Sequence, residues 1–134
     1  MSESESLYKS NDSVIQLNDS KFVGTKMKVS KDVFQGPGLL KIYAPWCPHC
    51  ISKVDDMNRL AKILPQEGAQ VYVINAEKNQ IFSRFFNIEG YPSFAYVNQN
   101  KMVEPLTNSD GEPVYDTQSV IKALCDHHNK CISN

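Results

Sequence analysis

No stretch of this chain approaches the ~20 consecutive apolar residues needed to span a bilayer. An excess of one charge is missing too. Lys and Arg number 14 and Asp and Glu 15, so the net charge is −1, and no basic stripe points to nucleic acid. The amino-terminal MSESESLYKS has neither the apolar core of a secretory signal nor the Arg-rich pattern of a transit peptide. The final CISN is neither an ER-retention tetrapeptide nor a prenylation box. As the sequence stands, these gaps make the cytoplasm the expected location and leave a lumenal or virion location open. Asn11-Asp12-Ser13 and Asn18-Asp19-Ser20 are glycosylation triplets, which carry no weight without a secretory route. Cysteine is scarce, with four in 134 residues: Cys47, Cys50, Cys125 and Cys131. Sparse cysteines in a cytosolic chain are more often catalytic or metal-binding than structural.

What is present is ordinary for a globular domain: 41% hydrophobic and 22% charged residues. The length suits one domain with its own core. Residues 1–12 read as a disordered tail, 13–128 as the domain and 129–134 as a carboxy-terminal tail. Val14–Leu17 reads as a strand, followed by caps at Asn18-Asp19-Ser20 and a short helix near Lys21–Phe22. Lys26–Gly38 is a connector, and Leu39–Ala44 an almost continuously apolar, buried strand broken only by Lys41. From Pro48 to Leu64, apolar residues recur at helical spacing, with Pro48 in the tolerant first turn. A strand at Val71–Ile74, a helix at Lys78–Phe86, a hairpin of Ser93–Val97 with Met102–Glu104, and a helix from Asp116 to His128 complete the chain. The order β-α-β-α-β-α-β-β-α predicts an α/β fold: a mixed sheet with helices on both faces.

The chemistry concentrates in YAPWCPHC, Tyr43–Cys50. A strand delivers Cys47 to a helix amino terminus, where unpaired N–H groups and the helix dipole favour thiolate over thiol. Cys50, one turn on, should be more buried and keep a higher pKa. Cys47 is therefore read as the nucleophile and Cys50 as the thiol that resolves a mixed disulfide. Pro48 stiffens the turn, and a protonated His49 would set a cation beside the thiolate. Both lean toward an oxidising poise. His49 as a plain solvated residue is the bland alternative. A zinc site would need Cys125 and Cys131, or His127 and His128, at a separation that fits no common finger or ribbon. Otherwise Cys125 reads as a small core residue, with a Cys125–Cys131 disulfide as a lesser option, and the two histidines as solvated helix-end groups.

LLKIYAPWCPHC resembles the thioredoxin superfamily, most closely the catalytic domains of protein disulfide isomerases. Its Cys-Pro-His-Cys quartet is similar to that of bacterial periplasmic disulfide oxidases. Glu89-Gly90-Tyr91-Pro92-Ser93 is the second match, and the likeness covers residues 13–128. The resemblance implies a thioredoxin fold, a cis Pro92 against the dithiol, and exchange of disulfides with protein substrates. Trp46, Tyr91 and Pro92 would shape the substrate cleft, with Tyr91 backbone pairing an extended segment. Core packing is the alternative for Trp46. The resemblance also implies no cofactor or metal, no membrane or nucleic acid, a separate redox partner and a monomer. A thioredoxin-like reductase and a binding module with little turnover remain the alternatives.

Three positions depart from the family. Lys41 stands where a buried acid normally accepts the proton of the second cysteine. A cation there must pair, snorkel to the rim or lose its proton. Asp55, Asp56, Glu77 and Glu89 are candidate substitute carboxylates. Asp55 also replaces a helix-kinking proline, which predicts a straighter helix. Glu89 puts a negative charge by the cleft, and with Lys41 it is a candidate for tuning the pair.

Overall fold

The computed structural model describes residues 7–9, 12–17, 22–23, 28–29, 34–79 and 90–132. Its centre is β4, Gly38–Tyr43, in which all six residues are buried. On one side β4 pairs in parallel with β5, Gln70–Asn75, and on the other antiparallel with β6, Ser93–Val97. β1, Ile15–Leu17, lies parallel outside β5, and β7, Val103–Pro105, antiparallel outside β6. The sheet order is β1-β5-β4-β6-β7. Gly38 is required at the start of β4, because a Cβ there would sit on the Gln70 carbonyl.

Side chains alternate across the sheet and divide the core in two. Leu39 and Tyr43 join Val71, Val73, Phe94 and Tyr96 on one face. That face packs against α2, Val54–Ile63, through Met57, Leu60 and Ala61, and against α3, Thr117–His128, through Val120, Ala123 and Leu124. Leu40 and Ile42 face the other way, with Tyr72, Ile74, Ala95, Val97 and Phe34. The strand period puts Lys41 on the first face, beneath the dithiol.

Several expectations change. Phe22–Val23 is not helical: it forms β2, paired antiparallel with β3, Lys28–Val29, inside the supposed connector. Phe-Val and Lys-Val suit an extended pair better than a helix. The expected helix at 78–86 lies largely outside the described residues, as do Phe82, Phe85 and Phe86. The helix after the dithiol is not straighter. It breaks at Lys53 into α1, Pro48–Ser52, and α2. There the Cys50 carbonyl accepts from Lys53 N–H, a tight i to i+3 bond, and also from Lys41 Nζ. Diverting that carbonyl interrupts the helical ladder.

Both ends of the chain contribute more than tails. Tyr8 is buried at 3% exposure and packs edge-on against Tyr43, with Leu7 against the same core. A boundary at residue 13 therefore leaves out part of the core. At the other end Asn129 takes a left-handed conformation that closes α3. Lys130 donates through its backbone to Leu124 and through Nζ to the Glu67 carbonyl, and Ile132 packs on the core.

Candidate active site

Cys47 is the N-cap of α1. Its Sγ accepts the Cys50 backbone N–H at 3.3 Å, so the sulfur satisfies one of the orphan donors at the helix start. That interaction strengthens when the sulfur is anionic. Cys47 Sγ also lies 3.4 Å from the Tyr91 carbonyl. The Tyr91–Pro92 peptide is cis, and Pro92 lies with Tyr91 and His49 in the lining of one cleft. Both cysteines are free thiols, and Cys47 is nearly as buried as Cys50. Burial pushes the Cys50 thiol up, and its hydrogen bond with Cys47 adds to that. Of the two, Cys50 is held as a thiol.

Trp46 stands beside this pair at 61% exposure, so it is not core. Its indole N–H donates to the Glu77 carboxylate, and its ring meets Tyr91 edge-on at 5.9 Å. His49 is exposed, and among the described residues no hydrogen bond joins its ring to Cys47. His49, Lys53, Tyr91, Pro92, Tyr115 and Asp116 line a cleft of about 330 Å³ next to the dithiol. Sequence reasoning missed Tyr115, half-exposed in the polar loop before α3, because nothing in its local pattern ties it to a site 65 residues upstream.

Lys41 does not snorkel. It is fully buried, with Nζ donating to the Cys50 carbonyl at 2.9 Å and to the Tyr8 hydroxyl at 2.8 Å. The Tyr8 and Tyr43 rings lie 5.3 and 5.9 Å from the same nitrogen. Burial brings the Lys41 pKa down to about 8, against the opposing pull of the Cys50 and Cys47 sulfurs. The candidate substitute carboxylates lie elsewhere. Asp55 is exposed, Glu77 holds Trp46, and Asp56 accepts from Thr117 and pairs with Arg59. Glu89 lies outside the described residues. Cys125 is not a core residue: it is bonded to Cys131, which also removes both from any zinc set. His128 is not a solvated end group but stacks on Tyr96 at 3.8 Å.

A dithiol at a helix start, opposite a cis-proline at the edge of a mixed five-stranded sheet, defines a thioredoxin-fold domain. The thioredoxin family model matches residues 13–122, and the chain belongs to that family. It is 31% identical over 114 residues to mouse protein disulfide-isomerase A6, covering 82% of this chain and 24% of that protein. A protein disulfide-isomerase A6 homolog of Drosophila melanogaster is 33% identical over 94 residues, 70% of this chain and 20% of the relative. The chain thus spans about a quarter or less of these relatives. The first thioredoxin domain of mouse protein disulfide-isomerase A4 superposes with a TM-score of 0.66 at 20% identity, covering 90% of this chain and 77% of that one. No helix among the described residues is long and apolar enough to cross a membrane.

Proposed function

We propose that this domain is a thiol–disulfide oxidoreductase acting on protein substrates, with the poise of an oxidase or isomerase. The carrying observation is the Cys47 sulfur, capped onto α1 by the Cys50 N–H and set 3.4 Å from the Tyr91 carbonyl at the cis-proline. Cys47 attacks or is attacked, and Cys50 resolves. An extended substrate segment would pair with the Tyr91 backbone, with Trp46 and Pro92 shaping the cleft and a separate redox partner restoring the pair. The domain acts as a monomer. Pro48 in the first helical turn and a buried cation in place of a buried acid both support the oxidising side, since each favours the reduced, thiolate-bearing form.

The Cys125–Cys131 bond bears on location. Lasting disulfides belong to oxidising compartments, which favours the lumenal or virion alternative over a reducing cytoplasm. The test of poise is the reduction potential of the Cys47–Cys50 pair against glutathione. A value near about −120 to −180 mV supports the reading, and one near about −270 mV makes the domain a reductase.

A further inference from the structure

We infer that Lys41, covered by Tyr8, is the counter-charge of the active-site sulfurs. This rests on the oxidoreductase reading above and extends it to residues that act behind the dithiol, without touching substrate.

The geometry begins with an unusual placement. Lys41 lies in β4 between Val73 of β5 and Phe94 of β6, a dry and apolar register. A lone ammonium there is costly unless its donors are satisfied and a negative charge lies close. Two donors are satisfied, by the Cys50 carbonyl and the Tyr8 hydroxyl. Among the described residues no carboxylate pairs with it. The titratable and charged groups that bear on it are Tyr8 on the amino-terminal segment, Tyr43 on its own strand, Cys47 and Cys50 on α1, Lys53 at the helix break and Asp56 on α2. Asp56 is the weakest of the groups that act on it by charge and is occupied by Thr117 and Arg59. Among the described residues, the negative partner left for the amine is a thiolate of the dithiol.

The step balances as follows. A substrate thiolate attacks Cys47 Sγ of the Cys47–Cys50 disulfide. The Cys47–substrate S–S bond forms and the Cys47–Cys50 bond breaks, its electron pair leaving on Cys50 Sγ. The Lys41 ammonium offsets that charge, and Cys50 takes up a proton from solvent. Burial raises the Cys50 thiol, so the sulfur that leaves is the one that is reprotonated. A second substrate thiolate then attacks the substrate sulfur and releases Cys47 as thiolate. The substrate dithiol is oxidised and the pair is reduced.

Tyr8 completes the arrangement from outside the central fold. It lies outside the residues matched by the family model, yet it holds Lys41 through its hydroxyl and lays its ring over the amine. Leu7 N–H donates to the Tyr43 hydroxyl, tying the segment down over β4.

The test uses the full chain with K41M, K41E and Y8F, each checked for folding by thermal melt. Two quantities are read: the pH midpoint of Cys47 alkylation, and the glutathione equilibrium of the pair. K41M should raise the midpoint and shift the equilibrium about tenfold toward the protein disulfide, or ~30 mV for a two-electron couple. K41E should shift both further, and Y8F less but in the same direction. Wild-type midpoint and equilibrium in folded K41M overturn the inference. If K41M does not fold, Y8F decides alone: a shift of the same sign supports it and no shift overturns it. If wild-type protein forms no Cys47–Cys50 disulfide at all, the oxidoreductase reading itself fails, which is a distinct result.

Discussion

The molecule carries two cysteine pairs in opposite electrostatic settings. Cys47 and Cys50 sit at the start of α1, where a sulfur accepts a backbone N–H, and a buried amine lies beneath. Cys125 and Cys131 straddle the end of α3, where the helix dipole is negative. On the proposed reading the first setting favours a thiolate and so a bond that opens readily, whereas the second bond closes a short loop around the left-handed Asn129. Helix end and local charge, more than spacing, assign one pair to exchange and the other to structure.

Breaking the first pair should have the largest effect. Cys47→Ser should cut disulfide exchange by about three orders of magnitude or more, because the attacking sulfur is gone. Cys50→Ser should leave attack intact and trap mixed disulfides, visible as protein-linked adducts on non-reducing gels. A C47S protein that exchanges disulfides at the wild-type rate would sink the assignment. The contrast then predicts the converse for the second pair. Replacing Cys125 and Cys131 together by Ser should leave the glutathione equilibrium of Cys47–Cys50 unchanged. It should cost about 2 kcal/mol of stability, the loop-closure value for a short ring, or roughly 5–10 °C in a domain of this size. Calorimetry of the double variant checks both. A large change in the redox equilibrium with no change in melting would reverse the two roles.

The sheet and the dithiol were legible in the sequence because they rest on local signals. The apolar run at Leu39–Ala44 became β4, and Ser93–Val97 became β6 with the same bounds. Asp116 caps α3 through the Ser119 N–H, as its residue type suggests. The proline at the Tyr91–Pro92 bond was found through a resemblance, since nothing in isolated residues marks a cis peptide. What was not legible depends on contacts between distant segments. Tyr8 sits in a polar stretch that looks disordered, and its partners Lys41 and Tyr43 lie more than 30 positions on. Lys41 could be read as costly, but whether it snorkels or stays buried depends on that same partner. The break at Lys53 follows from a carbonyl taken by Lys41, a cause that helical periodicity does not contain.

The smallest expected effect lies beside the second pair. His128, in the last turn of α3, stacks on Tyr96 at 3.8 Å and is only partly exposed. Burial lowers its pKa, with His127 also lowering it and Glu104 opposing. A histidine lowered on folding favours the neutral ring in the native state. Its contribution is therefore present above the unfolded pKa of ~6.5 and is lost as pH falls through that value and then the folded one. Partial exposure screens the effect. Melting measured from pH 7.5 to pH 5 should show a downward tilt in wild type that H128F, which keeps a ring for stacking, lacks. The tilt should be a fraction of the loss caused by removing the Cys125–Cys131 bond. Equal tilts in H128F and wild type would show that the lower end of α3 is held by the disulfide and the Asn129 turn alone.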